Sequence, residues 1–417
     1  MNLNEWMDSR MKTIVFIGSN EFGTSKEALT IAKQMGYFVV LLTDKSKLMT
    51  NNHGFSEVNQ IIFMKNLMDE QQVIDRITKL KEEGKHICAC LSFIDPFVSY
   101  AARISKSVGL AQISVNSLYL MEDKIKVREK LANLPITPFY TAFHFGDSPK
   151  VFEMKYKEHF PLIVKPPISN GSKDVLFVNS IEMLEDALIL LQKKHPKSSL
   201  LIEEYLLGPQ FLAEIVVYNN KITVVGIIAQ EVIYNGRFIV IGYKFPARVN
   251  TDDYKNLCQS ISSIVEQTGL TNGSCHVEMK LVQGEWKLIE INPRMSGGVM
   301  NRIIEEGTGI NLVKEIIKMY LGEEPTLIET RKQYVYARYL TIGSRGKLLK
   351  VTGKELALMH DGVKYVYIKP LKGKILSNPY SMGNRYACII AASESEEKAE
   401  AIALAAAKEI KFYLAPI

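Results

Sequence analysis

The stretch Cys275–Met295 constrains this chain more than any other. Two runs, His276-Val-Glu278-Met-Lys280 and Trp286-Lys-Leu-Ile-Glu290-Ile-Asn292-Pro-Arg294, flank a turn at Gln283-Gly284-Glu285. Read as a three-residue hairpin loop with Gly284 in the left-handed conformation, the turn pairs 282 with 286, 280 with 288 and 278 with 290. Glu278 and Glu290 then stand opposite one another with their Cβ atoms about 5 Å apart, and Asn292 continues that face. Like charges so close repel unless one is protonated or a cation lies between them. Two carboxylates and an amide oxygen are hard ligands suited to Mg²⁺ held against a phosphate. A solvated hairpin face with both acids in water satisfies the same spacing.

Composition narrows the class. At roughly 150 residues per domain, the 417 residues allow two to four domains and a sizeable core. Hydrophobic residues at 47% and charged residues at 23% exclude a disordered, collagen-like or coiled-coil chain. The net charge of +6 is mild and gathers into no basic block, so nucleic acid is not an expected partner. The apolar run Thr13–Gly18 is too short for a signal peptide. No segment approaches the ~18 apolar residues of a membrane span, and a cytoplasmic protein without a membrane partner is predicted. Cys88, Cys90, Cys258, Cys275 and Cys388 lack the paired spacings of a disulfide framework or zinc site and read as buried free thiols.

The first third alternates strand and helix signals: Thr13–Ile17, a helix over Ser25–Met35, Tyr37–Leu42, a helix near Gln71–Glu83, Ile87–Leu91 and a helix over Pro96–Ser107. Such alternation implies parallel βαβ units. The first loop, Gly18-Ser-Asn-Glu-Phe-Gly23, lacks the glycine spacing of a dinucleotide fingerprint and reads as an ordinary βα turn. From about Met121 the texture becomes mixed α+β. A charged helix, Glu122–Ala132, leads to strands Pro161–Lys165 and Val175–Val178, a helix near Glu182–Lys194 and a strand over Leu200–Glu204. Chain from Gln210 to Met279 is β-rich around a helix at about Asp252–Thr268. A linker near Gly322–Glu329 precedes a last β-rich module, and an alanine-rich helix, about Glu394–Tyr413, reads as close packing.

Phosphate chemistry needs cations and exposed backbone N–H groups. Ile168-Ser-Asn-Gly-Ser172 offers an Asn-Gly turn whose N–H groups can wrap an anion, though alone it is also a plain hairpin turn. Lys165 lies in an apolar strand, where a lysine is costly unless paired or facing a cleft. Lys124 follows Asp123 at a helix start, where a cation opposes the dipole. Taken one at a time, these are surface lysines. His276 reads as structural, Trp286 as a packing residue, and the Arg345, Lys347, Lys350 and Lys354 cluster as a solvated face.

Taken in order, the segments resemble the ATP-grasp superfamily. The likeness rests on Glu122-Asp-Lys124 with Arg128, Leu162-Ile-Val-Lys165-Pro-Pro, the Ser-Asn-Gly-Ser loop, Leu201 to Phe211, Glu278, and Glu290-Ile-Asn-Pro-Arg294. It covers roughly Arg10 to Glu324, and the rest resembles the appended domain of the carboxylate–amine ligase branch. The fold class implied is α/β and α+β: an ATP-grasp fold with an N-terminal Rossmann-like parallel-sheet domain and a C-terminal β-rich module. The domain boundaries expected are 1–115, 116–330 (with a small lid subdomain about 135–206) and 331–417.

By position, the resemblance implies that Lys124 and Lys165 contact the α- and β-phosphates of ATP. Ser169, Asn170, Gly171 and Ser172 would close over the phosphates. Glu203 and the backbone of Tyr205 and Leu206 would read the adenine edge, and Gln210 would bond the ribose hydroxyls. Glu278, Glu290 and Asn292 would hold one or two Mg²⁺ ions, or Mn²⁺ in their place. Arg294 would stabilise the acyl phosphate and the tetrahedral species after it, with Lys165 also in a catalytic role.

Within the superfamily the chain most resembles bacterial L-amino acid ligases, through its layout and Asn292-Pro-Arg-Met-Ser-Gly-Gly298. That implies an ATP-dependent, cytoplasmic ligase that joins two amino acids into a dipeptide, with arginine as the first of them; homodimers are common among such enzymes. The chain departs from relatives at Val240-Ile-Gly-Tyr243, where a Glu-Ile-Gly-His stretch often lines the acceptor pocket. At Gly297-Gly298 some relatives carry a bulky side chain, so empty volume beside Arg294 is expected. Two alternatives remain: a ligase for another carboxylic acid, and a nucleotide-binding module without catalysis.

Overall fold

The computed structural model describes residues 11–50, 54–110, 113–169 and 171–417; the polar N-terminal residues 1–10 and the candidate Asn170 lie outside that description. The first sheet contains β1 (Met11–Ile17), β2 (Phe38–Thr43), β3 (Gln60–Phe63) and β4 (Lys85–Leu91), all parallel in the order β3-β2-β1-β4. Its apolar runs are continuous because both faces are covered. Val15, Ile17, Val40 and Leu42 pack with Val73, Ile77 and Leu80, while Ile14, Phe16, Val39 and Leu41 join Ala28 and Leu29 in the main core. β3, only half-buried, escaped the sequence pattern. Strand order reverses at β1, and in such sheets a crevice opens between the carboxyl ends of the strands at the reversal. Here those are the ends of β1 and β4.

A second, antiparallel sheet contains β5 (Tyr140–Phe143), β6 (Leu162–Lys165), β7 (Leu176–Val178) and β8 (Leu200–Glu204) in the order β5-β8-β6-β7. Leu162, Val164, Leu200 and Ile202 bury one face under the helices Pro149–Tyr156 and Ile181–Lys194. Strand alternation sends Lys165 and Glu203 to the other face, one diagonal apart, because Ile163 pairs with Glu203 and Lys165 with Leu201.

The central strands are β9 (Gln210–Tyr218), β10 (Lys221–Tyr234), β11 (Phe238–Phe245), β12 (Gly273–Val282) and β13 (Glu285–Asn292). The C-terminal strands are β14 (Tyr334–Leu340), β15 (Gly346–Thr352), β16 (Val363–Ile368), β17 (Ile375–Leu376), β18 (Ala387–Ser393) and β19 (Lys411–Ala415). β14 pairs with β11, Tyr243 opposite Ala337, so a single eight-stranded sheet runs β13-β12-β9-β10-β11-β14-β18-β16. β17, β15 and β19 form a separate small sheet.

The alanine-rich helix is shorter than predicted. It spans Glu396–Glu409 from an N-cap at Ser395, buries Ala399, Ala403 and Ala406, and gives way to β19, which pairs with β15. Two helices not foreseen, Met300–Thr308 and Leu312–Tyr320, follow the hairpin. All five cysteines are free, with Cys88 and Cys258 only part-buried rather than buried. Among the described residues no helix is long and apolar enough to cross a membrane.

Candidate active site

The hairpin forms by a different route from the one its glycine suggested. Val282 pairs with Glu285, leaving Gln283 and Gly284 as a two-residue turn, both with positive φ (51° and 85°). That is the backbone a tight hairpin prefers; a left-handed Gln was the unexpected part. Pairing continues as Leu281–Trp286, Lys280–Lys287 and Met279–Leu288, so the expected pairs 280/288 and 282/286 are not formed. A bulge then adds Ile289 to β13 and brings Glu278 opposite Glu290 after all. The bulge also aims backbone oxygens at cations: Arg128 Nη2 donates to Leu288 O at 2.9 Å and Ile289 O at 2.7 Å, and Lys165 Nζ to Ile289 O at 3.3 Å.

Three cations converge on this hairpin. Asp123 caps the helix Lys124–Lys130 by accepting from the Ile125 and Lys126 N–H groups, which fixes Lys124 in its first turn. Lys124 Nζ lies 3.0 Å from Ser169 O and 3.5 Å from Glu290 Oε2. Arg128 and Lys165 both ion-pair with Glu203, the latter at 2.5 Å, and all three are buried. Burial pushes the Lys165 ammonium below its ordinary value against the pull of Glu203.

The two acids are driven apart. Burial, and after it the Glu290 charge, raise the Glu278 carboxyl above the usual range. Burial acts on Glu290 too, but Lys124 and Lys165 outweigh it and hold that carboxyl low. A half-buried pair of acids, one held protonated and one ionised, is poised to exchange the proton for a cation. Among the described residues no group of three or more His, Cys, Asp or Glu is disposed to hold a metal. His276 Nδ1 lies 2.8 Å from Arg294 O, which only accepts, so Nδ1 carries the proton; burial first, then Arg294, push this imidazole down to about 4. Its Nε2 then accepts from Asn292 Nδ2 at 3.2 Å, and Nδ2 also meets Glu290 Oε1 at 3.1 Å. Asn292 Oδ1 is thereby left as the acceptor beside the acids.

Two cavities meet at the hairpin. One, of ≈ 790 Å³, is walled by Ile163, Val175, Phe238 and Leu288 and edged by Glu203–Leu206. It differs from expectation in three respects. The Glu203 carboxylate is spent on its two cations, so an acceptor for a base there has to come from backbone. The Tyr205 N–H is spent on Pro161 O at 2.9 Å, which leaves that of Leu206. The Gln210 amide donates to Gln230 at 2.8 Å and Glu278 at 3.2 Å, because the β9 register sets Gln210 opposite Gln230 and Lys280. Ser169, Gly171 and Ser172 roof this cavity, and Gly171 O accepts from Met382 N at 3.4 Å.

The second, an open cleft of ≈ 1710 Å³, runs from Glu278, Glu290 and Asn292 past Arg294, Gly297 and Gly298 to Tyr243 and Arg385. The loops after β1 and β4 form its other wall: Asn20, Phe22, Thr24 and Ser25, then Phe93, Ile94 and Asp95. Asn20 and Phe22 of the Gly18–Gly23 loop thus line the cleft. Arg294 is not free; Nε lies 3.1 Å from both Asp95 carboxylate oxygens, and Nη2 also pairs with Oδ2. Of the two glycines, only Gly297 faces open space. Gly298 has φ +70°, and a Cβ there would lie 3.0 Å from Tyr339 Oη.

Glu214 supports this loop from below. Fully buried, its Oε1 accepts from Ser296 N at 2.9 Å and Oγ at 2.7 Å, while Oε2 has no partner. Burial pushes its carboxyl from 4.5 up to about 7. A folded state that binds a proton the unfolded chain has released loses stability as pH rises from about 4.5 through 7. Glu214→Gln removes the charge, so its thermal stability should exceed wild type at pH 8.5, by up to about 3 kcal/mol, with little difference at pH 4.5. A gap that does not widen with pH would show Glu214 to be ionised at no cost.

An ATP-grasp domain is matched over residues 158–302, from the strand carrying Lys165 through the hairpin carrying Glu278, Glu290 and Asn292. Residues 158–302 are an ATP-grasp domain. The description of an L-amino acid ligase C-terminal domain 2 matches residues 338–415. An uncharacterized protein of Sinorhizobium fredii, y4rH, is 26% identical over 262 residues, 61% of this chain and 54% of that one. The L-arginine-specific L-amino acid ligase of Bacillus subtilis is 22% identical over 276 residues, 62% of this chain and 66% of that one. The matched region thus spans about half of the first relative and just under two thirds of the second. In fold, the chain is similar to the crystal structure of L-amino acid ligase from Bacillus licheniformis, with TM-score 0.82, 20% identity, and coverage of 98% of this chain and 100% of that one.

Sequence reasoning missed Asp95 and Arg385 on the wall of the cleft, and Glu214 beneath it. For Asp95 a signal existed: a loop at the carboxyl end of a parallel strand next to the order reversal is where sites gather. Glu214 sits within an apolar strand, as Lys165 does, and the same cost of burial marks it.

Proposed function

We propose that this protein is an ATP-dependent carboxylate–amine ligase that joins two amino acids through an acyl phosphate and releases ADP and phosphate. The observation that carries the reading is the half-buried Glu278–Glu290 pair, set beside Lys124 and Lys165 where the two cavities meet. The cavity walled by Ile163, Val175, Phe238 and Leu288 suits a nucleotide base and the open cleft the two substrates, so the γ-phosphate would lie at the hairpin. Glu278, Glu290 and Asn292 Oδ1 fit an oxygen-ligated Mg²⁺ (or Mn²⁺). When bound, that ion supplies neutralisation of phosphate charge.

Lys124 and Lys165 would orient the phosphates and offset their charge, and the Ser169–Ser172 segment would exclude water. A substrate carboxylate attacks the γ-phosphorus, breaking its bond to the ADP oxygen. A neutral amine then attacks the acyl carbon, the amide forms, phosphate leaves and the amine's proton passes to solvent. Arg294, held in orientation by Asp95, would face the oxyanion of that second step. Residues 1–115, 116–330 and 331–417 serve as the three parts of this reading.

Arginine gains no support as the first amino acid. The carboxylates lining the cleft are Asp95, Glu278 and Glu290, and each already faces a cation or the proposed metal. Incubation with ATP, Mg²⁺ and a pooled set of L-amino acids, read by phosphate release and mass spectrometry, tests the proposal. ADP and dipeptide should form together; AMP and pyrophosphate, or no product at all, would reject it.

A further inference from the structure

The roles above leave Arg385, on the wall of the cleft, without a task. Arg385 follows the short turn Met382–Asn384. Its Nε donates to Met382 O at 3.3 Å, its Nη1 to Val240 O at 3.2 Å and Tyr243 Oη at 3.4 Å, and the guanidinium lies 3.8 Å over the Tyr339 ring. All of these partners are neutral. Among the described residues Arg385 forms no ion pair, whereas Arg294 across the cleft is matched by Asp95. Two more cations stand close. Lys173 lines the same cleft, and Lys369 Nζ donates to Gly383 O at 2.6 Å. Lys369 is pushed below its ordinary value by burial and then by Arg385 and Lys173. Uncompensated positive charge on the wall of a cavity is a site for an anion.

The position says which anion. Arg385 bonds to β11, three strands from the β12 that carries Glu278, roughly 14 Å at ordinary strand spacing. A phosphoryl group, an acyl carbon and one amino acid laid end to end fill a gap of that order. The donor's carboxylate is consumed in making the acyl phosphate, so the carboxylate that persists through both steps belongs to the acceptor. We infer that Arg385 holds the free carboxylate of the acceptor, which rests on the ligase reading and limits acceptors to amines that bear one. The Nη2 of Arg385, which none of its contacts uses, is the donor left for a carboxylate, and the Tyr339 ring beneath the guanidinium fixes the plane.

The test compares the twenty L-amino acids with their α-carboxamides as acceptors. Wild-type enzyme should favour the acids by at least about a hundredfold in kcat/KM, the scale of a charge-assisted pair. Arg385→Gln should lose about that factor for acids, chiefly through KM, while amides and the KM for ATP stay within about threefold. Arg385→Lys should fall between. The wild-type comparison stands even if a variant folds poorly. Equal use of acids and amides by the wild type, equal losses of both in Arg385→Gln, or a raised KM for ATP instead, would overturn the assignment while leaving the ligase reading intact. Absence of any peptide product from the wild type would remove both.

Discussion

Turnover of a Glu290→Gln variant is expected to fall at least about a thousandfold, on the order of 4 kcal/mol of transition-state stabilisation. The substitution changes almost nothing but charge. The amide keeps an oxygen for Asn292 Nδ2 and a similar volume between Lys124 and the hairpin. What it removes is the carboxylate that Lys124 and Lys165 hold ionised despite burial. The neighbouring Glu278, relieved of that charge, would ionise more readily, yet one carboxylate and one amide are a weaker anchor for a divalent ion than two carboxylates and an amide. ADP release at saturating Mg²⁺ is the readout, with thermal unfolding as control for the fold. Rates near wild type would take Glu290 out of the metal site.

Glu203→Gln should instead act on stability. Arg128 and Lys165 both lean on this one buried carboxylate. Its loss leaves two buried cations with backbone oxygens of Leu288 and Ile289 alone, and breaking a buried ion pair from one side costs about 3–5 kcal/mol. Urea denaturation measures it. A loss below about 1 kcal/mol, the range of solvent-exposed pairs, would mean that water reaches the site and screens it. Adding Arg128→Met to the variant should recover part of the loss, since one of the stranded charges is then gone.

The acidic pair was legible because strand alternation puts residues two apart on one face. It survived an error in the turn: one residue fewer in the loop and one extra at Ile289 cancel by the time the chain reaches Glu290. Lys124 and Lys165 were legible only in company, since each alone is an ordinary lysine. What the sequence hid was contact across long separations. The partnership of Asp95 with Arg294 joins residues 199 apart, and no local pattern encodes it. Tyr205 looked like a donor for a base, but its N–H is satisfied within its own sheet region. The helices Met300–Thr308 and Leu312–Tyr320 were a different kind of miss. Met300, Ile303 and Ile304, then Leu312, Val313, Ile316 and Ile317, have the spacing of buried helical faces and were there to be read.

The pairing of β14 with β11 bears on how such chains can be recombined. Gly242–Phe245 is bonded to Val335–Arg338, so cutting before β14 would strip a row of backbone donors and acceptors from the strand that carries Tyr243. A graft meant to change acceptor choice must therefore bring its own matching ladder, in register, along with any new side chain at position 385.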